Sequence, residues 1–341
     1  MKKHSLLFIL LMIACSVFAQ KPDSTKQKVD SIQVKINKLV SAKDSIKAAD
    51  TIRYWKKGGL IGINFAQSSF TNWAAGGENA VSATGLMNLF ANYKRDKTTW
   101  DNNLDLAYGL LQSGTTGIRK NEDKIDFSSK FGHYAFLDHW YYTALLNFKS
   151  QFGNGYNYPD DSTIISHFLA PGYVLGAIGL DYKTKDNSFS FFVSPITSKT
   201  TIVNDQRLAN EGAYGVDKAE YDSVGGAYVV VKKGKLVRNE FGGYVKIAYK
   251  KDIIKNVNLA TKLELFTNYL KNPQNIDVNW ELLLAMKVNR FITASVSTQM
   301  IYDDDIPVPV QRTDAAGVKY MGTGPRLQFK EVIAVGVSYK F

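Results

Sequence analysis

The chain holds a single cysteine, Cys15, in 341 residues. Beyond that position a disulfide framework and a cysteine-based metal site are both excluded. No segment reaches the roughly 18 consecutive apolar residues that a membrane-spanning helix requires. Histidine is scarce, with 4 in total. There is no Gly-x-Ser-x-Gly, no His-Glu-x-x-His and no cysteine pair, so the usual hydrolase and metalloprotease signatures are missing, and no cofactor motif is present. The net charge of +11 invites a nucleic-acid reading until it is located. Lys2 and Lys3 lie at the extreme N-terminus, residues 21–57 carry a net +6, and residues 58–341 only +3. The basic excess therefore belongs to a short N-terminal segment. No nucleic-acid recognition motif accompanies it.

What the N-terminus does contain is a targeting pattern. Lys2 and Lys3 form a positive region, Leu6 to Ile13 is unbroken and apolar, and Val17-Phe18-Ala19 fits a cleavage site, giving a signal peptide over 1–19. A lipoprotein reading through Met12-Ile13-Ala14-Cys15 competes, with Met12 a poor fit to it. Residues 20–57 form a basic leader free of glycine before Gly58. Val29, Ile32, Ile36, Leu39 and Ile46 have helical spacing, while Ile32, Val34 and Ile36 alternate. A disordered periplasmic leader and a short amphipathic helix docking on a partner or an anionic membrane surface both fit.

From 58 to 341 the chain alternates. Trp100, Leu104, Leu106, Tyr108 and Leu110 share one parity, and Asp101, Asn103, Asp105, Ala107 and Gly109 the other. The ending repeats this, with Ile333, Val335, Val337, Tyr339 and Phe341 on one face. Twelve such segments can be marked, near 60–66, 81–93, 100–110, 124–131, 140–152, 174–182, 189–195, 240–250, 257–269, 278–288, 292–302 and the C-terminus. Connections after even-numbered segments are short, and most of those after odd ones are long, 196–237 being the longest. Short periplasmic turns alternating with long outer loops, an even strand number and aromatics gathered at strand ends specify an all-β fold: a transmembrane antiparallel β-barrel of the bacterial outer membrane. The mean hydropathy of -0.19 is no obstacle, because such a barrel carries its membrane signal in alternation. The expected surroundings are outer-membrane lipid, the insertion machinery engaging the C-terminal strand that ends in Phe341, and a periplasmic partner for residues 20–57.

Five short motifs carry a resemblance: Phe70-Thr71-Asn72-Trp73 with Gly76-Gly77, Asn204-Asp205-Gln206-Arg207-Leu208, Ala213-Tyr214-Gly215-Val216, Asn272-Pro273-Gln274-Asn275 and Asp303-Asp304-Asp305. Over roughly 55–341 the chain resembles an uncharacterised family of Bacteroidota outer-membrane proteins, the domain of unknown function 3078 (DUF3078). The resemblance implies the architecture and supplies no activity.

The polar parity lists the expected lumen lining. Its acids are Asp101, Asp105, Asp126, Asp181, Glu240, Glu264, Asp277 and Glu281. Its bases are Lys124, Lys130, Lys149, Lys183, Lys246, Lys250, Lys262, Lys287 and Lys330, and Asn103 joins them. Near-balanced charge points to a narrow or salt-bridged interior, since a charge-selective pore carries a ring of one sign. In the 196–237 connection, Asp205, Arg207, Asn210 and Glu211 are candidates for a constriction loop. Asp303 and Asp305 are candidate Ca²⁺ ligands, although successive residues point to opposite faces. His167, near Asp160, Asp161, Ser162 and Ser166, is the one place where a hydrolase could be sought. These observations imply a narrow or gated channel for small hydrophilic solutes. A non-conducting, partner-binding barrel is the first alternative and an outer-membrane hydrolase the second.

Overall fold

The computed structural model describes residues 33–41, 54–69, 79–115, 117–224, 227–306, 308–313 and 317–341. The signal-peptide residues 1–19, most of the leader and the Phe70–Trp73 motif lie outside them. The chain divides into a unit ending at Tyr54 and a second unit, Trp55–Phe341. In the first, the described residues 33–41 are helical and exposed, and Ser41 Oγ donates to the carbonyl of Asn37 at 2.9 Å.

The second unit is a closed antiparallel barrel of twelve strands. They are β1 (Trp55–Ser68), β2 (Ala80–Arg95), β3 (Thr98–Ser113), β4 (Arg119–Tyr134), β5 (Trp140–Ser150), β8 (Gly172–Lys183), β9 (Phe189–Ile202), β12 (Val237–Ile254), β13 (Val257–Asn268), β14 (Asp277–Lys287), β15 (Ile292–Tyr302) and β18 (Gln328–Lys340). β1 begins at Trp55, ahead of the Gly58 boundary read from the sequence. Each barrel strand pairs with its sequence neighbour in the barrel, and β18 closes on β1 from Leu60↔Lys340 to Phe65↔Val335. Gly59 and Phe341 exchange two further backbone hydrogen bonds, of 3.0 and 3.1 Å. Strands of 11 to 18 residues meet or exceed the roughly 9–11 needed to cross a bilayer.

Side-chain parity survives the whole circuit. Asn88, Asp105, Asp126, Lys149, Tyr173, Thr201, Arg238, Lys246, Glu264, Asn279, Gln299 and Lys330 are linked by register, so all face one side, the lumen. Ile61, Ile63, Phe65, Leu146, Ile178, Ile333, Val335 and Val337 take the other parity and are exposed. Closure leaves no strand edge in lipid, and the outward apolar band supplies the hydrophobic match. The molecule is an outer-membrane β-barrel. At the short-turn end Trp55, Tyr93 and Trp100 pack together, with centroids 5.3 and 5.8 Å apart, as do Trp140 and Tyr182 at 5.4 Å. Both chain ends of the barrel lie at this rim, the periplasmic one.

The long connections are not structureless. Three two-stranded hairpins rise from the outer end: β6 (Gly155–Tyr156) with β7 (Ile164–Ser166), β10 (Glu220–Val224) with β11 (Ala227–Lys232), and β16 (Val308–Thr313) with β17 (Lys319–Gly324). Several strands run beyond the bounds read from the sequence; β9 in particular does not stop at Pro195 but continues to Ile202. Pro195 is accommodated because the ladder shifts there, Leu180 facing Val193 and Ile178 facing Ile196, so its missing N–H is not needed. Gly179 faces the bulge, where a Cβ would run into the Val193 carbonyl. The Ser194 hydroxyl lies 2.8 Å from the carbonyls of Ile178 and Ile196, satisfying the displaced backbone.

Candidate functional site: an asymmetric lumen beneath a docked outer segment

The lumen-facing residues divide by wall. On β5, β8, β9, β12 and β13 the middle of the wall is packed dry. Leu145, Ala177, Phe192, Tyr244 and Phe266 form one buried apolar cluster, with Leu175 against it and Phe192 0% exposed. Phe192 and Tyr244 meet edge to face at 6.2 Å. Thr143, Asn147, Thr197 and Thr201 are buried beside them. The opposite wall, β14, β15, β18, β1, β2 and β3, is wetter, although Thr99, Ala107 and Ala334 are buried on it. There Asn64, Asn88, Asn103, Asp105, Ser297 and Gln299 keep partial exposure. Two apolar side chains of lumen parity, Leu283 and Val332, remain 41% and 39% exposed. Sequence alternation separates inside from outside, but it could not divide the inside into a filled and an open half. The inward aromatics Phe192, Tyr244 and Phe266 were the available signal.

The predicted lumen charges meet along the boundary. Lys124 Nζ donates to Glu281 Oε2 at 3.2 Å, joining β4 to β14 on the far side of the barrel. Lys262 reaches Glu281 at 3.0 Å and Asp126 at 3.5 Å. Lys149 and Lys246 hold Glu264 at 2.6 and 3.4 Å, and Tyr244 Oη donates to the same carboxylate at 3.0 Å. Nearer the periplasm, Lys130 pairs with fully buried Asp181 at 2.7 Å, and Lys183 with Asp101 at 2.6 Å. Buried carboxylates are tolerable only when paired and hydrogen-bonded in this way. Asp105 sits on the wet wall among amides, Asn88 and Asn103 both donating to it at 2.5 and 2.7 Å. Lys330 crosses to Glu122 at 2.6 Å, and Glu122 was not among the residues read from the sequence. Lys287 has lumen parity and is exposed at its strand end.

Over the outer mouth lies segment 203–219. Asp205 caps the helix Gln206–Glu211 by accepting from the N–H groups of Arg207 and Leu208, at 2.8 and 3.1 Å, and Gly212 (φ 75°) ends it in the left-handed region. Val203, Leu208, Ala209 and Val216 bury against Ala170, with Ala213 and Tyr214 packed on them. Tyr214 Oη donates to the Ile165 carbonyl at 2.7 Å, and burial pushes its pKa up to about 12. Lumen-facing Arg238 donates to the Gly215 carbonyl at 3.1 Å and pairs with Glu240 and Asp305. Gly215 (φ 79°) has no room for a side chain, because a Cβ would press on Arg238. Of the four constriction candidates, Asp205 is this cap and Asn210 bonds Gln206 and Gly234, while Arg207 and Glu211 pair with each other on the exposed surface at 3.0 Å. None of the four pairs with a lumen charge.

The Asp303–Asp305 carboxylates sit where the segment meets the barrel. Lys199 lies 3.4 Å from Asp303, 2.7 Å from Asp277 and 3.7 Å from Glu240. Asp304 accepts from Asn275 at 2.6 Å. Burial alone would raise Asp305, but Lys271, at 3.0 Å, and Arg238 carry it below the usual carboxylate range. The candidate Ca²⁺ ligands are thus neutralised by side-chain cations, and among the described residues no group of three acids, His or Cys is placed to hold a metal ion. His167 lies 3.5 Å from Asp205 and contacts the Phe168 carbonyl at 3.0 Å. Ser162 instead bonds Asp160, at 2.7 Å.

Comparison with known proteins adds the following. The model of a family described as protein of unknown function (DUF3078) matches residues 65–156. No curated protein matches the chain. Among solved structures, an outer-membrane channel from Pseudomonas putida F1 is 12% identical, covering 84% of this chain and 96% of its own, with a TM-score of 0.36. The translocator domain of the autotransporter NalP from Neisseria meningitidis is 8% identical, covering 92% and 98%, with a TM-score of 0.33. The NanC porin is 12% identical, covering 83% and 100%, with a TM-score of 0.30.

Proposed function

We propose that this barrel is a narrow outer-membrane channel for small hydrophilic solutes, with its passage along the wet wall and its outer entry governed by segment 203–219. The observation that carries this reading is the division of the lumen. A barrel built only as a plug gains by filling its interior, as the β5–β13 wall is filled. The wall opposite instead keeps amides and hydroxyls in partial contact with water, and leaves Leu283 and Val332 uncovered inside the barrel. Amides and hydroxyls replace the hydration of a polar solute without trapping it. The ion pairs between the walls narrow the passage, and their members can exchange partners with a passing solute.

A second reading has one observation in its favour. The Lys124–Glu281 pair spans the barrel, and segment 203–219 is docked by several contacts, as a non-conducting scaffold for partners would require.

Planar-bilayer recording of the purified, heat-modifiable protein in about 1 M salt separates the two. The channel reading expects discrete conductance steps, enlarged or prolonged when residues 204–235 are replaced by a short linker. A folded barrel that stays silent in both forms overturns it in favour of the scaffold.

A further inference from the structure

The lumen is polarised along its axis. Five lysines of lumen parity stand at the periplasmic ends of their strands: Lys56, Lys94, Lys250, Lys287 and Lys340. Register fixes their side. Lys340 faces Leu60, which faces Asn88; Lys56 and Lys94 share the parity of Leu60 and Asn88; Lys250 shares that of Lys246, and Lys287 that of Glu281. All five are exposed, and none forms an ion pair with a described carboxylate. Asp252 is the acid of the same parity nearby, and it accepts from Asn258 at 2.9 Å.

Their distribution follows the wet side. Four of the five come from strands of the wet wall, β14, β18, β1 and β2; Lys250 comes from β12, at the periplasmic end of the dry wall. At the same end of β4 and β8, Lys130 and Lys183 are matched by Asp181 and Asp101. Where segment 203–219 meets the barrel the local sign is opposite: Glu240, Asp277 and the three aspartates at 303–305 outnumber Lys199, Arg238 and Lys271. A ring of unmatched base at the periplasmic end is not the balanced pattern of a lumen cross-linked for stability alone.

We propose that the periplasmic mouth is an anion-selecting ring and that the solutes of this channel are small anions. The inference rests on the channel reading above. A ring of like charge on a low-dielectric wall concentrates counter-ions at the entrance, and lysine or arginine rings mark anion-passing pores. Lysine suits passage better than capture, because its compact, strongly hydrated ammonium makes no bidentate clamp on a carboxylate or phosphate. At about 0.1 M salt the Debye length is about 10 Å, enough for neighbouring lysines to act together on an ion at the mouth.

The test is the reversal potential of single channels in a KCl gradient at low salt, repeated with potassium phosphate. It compares the unaltered protein, a variant with all five lysines changed to Gln, and one with all five changed to Arg. The unaltered channel should be anion-selective. The Gln variant should lose about threefold or more of its anion-to-cation permeability ratio while still conducting, and the Arg variant should keep the ratio. Heat-modifiable migration checks that each variant folds. A conducting but unselective or cation-selective protein overturns the ring, as does selectivity unchanged in a folded Gln variant. A silent protein overturns the channel reading and the ring with it.

Discussion

Two truncations inside the same barrel should differ sharply in cost. Phe192 and Leu283 both have lumen parity, but Phe192 is 0% exposed within the cluster of Leu145, Ala177, Tyr244 and Phe266, whereas Leu283 is 41% exposed. Phe192→Ala removes a ring and leaves a cavity that rigid strands cannot close, a loss of about 3–5 kcal/mol. Full burial of a leucine is worth about 1.5–3 kcal/mol, and Leu283 is only partly covered, so Leu283→Ala should cost about 1 kcal/mol, with no cavity term because water fills the space. Urea unfolding from phospholipid vesicles, followed by tryptophan fluorescence, reads both. With a slope of about 1–3 kcal/mol per molar, the two midpoints should separate by roughly 1 M or more. Equal midpoints would mean that the two walls are packed alike, and the division of the lumen would fail.

Other consequences follow from individual contacts. Glu281→Gln removes the charge that holds Lys124 and Lys262, so single-channel conductance should rise, and the charge exchange of Lys124→Glu with Glu281→Lys should return it toward the original value. Tyr214→Phe deletes the hydrogen bond to Ile165, worth about 1 kcal/mol, and should raise proteolytic nicking within 203–219 about fivefold with the barrel intact. Asp205 and Asp305 are both held below their ordinary range, Asp205 by the helix N–H groups against its burial penalty. Their contribution is therefore complete above the unfolded value near 3.9 and fades as pH falls through the lower folded values. Protection of the 203–219 amides, measured relative to the intrinsic exchange rate at each pH, should hold at about pH 5 and fall only in stronger acid; protection already lost at about pH 5 would contradict the assignment. Deleting Phe341 removes its two backbone hydrogen bonds to Gly59 and the stacking on Tyr339, and should lower the temperature at which the heat-modifiable band converts.

The barrel was legible because its physics is periodic. Alternation over ten or so residues fixes which side chains meet lipid, and all twelve segments read from it are strands. Pro195 misled the reading of β9 because a proline ends a central strand unless a bulge excuses its missing N–H, and the bulge depends on Gly179 and Ser194, which announce nothing alone. The polar parity placed Lys124, Asp126, Lys262, Glu264 and Glu281 on one face, but which lysine reaches which carboxylate depends on the opposition of β4 and β14, a property of closure. The dry wall was harder still. Phe192, Tyr244 and Phe266 interrupt the polar parity of their strands, and only their meeting across β9, β12 and β13 turns those interruptions into a core. Asp205 and Asn210 read as pore-facing candidates because a capping side chain and a lumen side chain are of the same residue types. The short helix that separates the two roles is six residues long.

The division of the lumen can be tested without knowing the solute, because residues 54–341 contain no cysteine. Single cysteines at Ser297 and Leu283 on the wet wall, and at Leu145 and Ala177 on the dry wall, would be exposed to a water-soluble, membrane-impermeant thiol reagent in the folded protein. The account predicts fast modification at 297 and 283, with a drop in conductance as the label narrows the passage, and protection at 145 and 177 until the barrel unfolds. Equal reactivity on the two walls, or protection at all four positions, would contradict it.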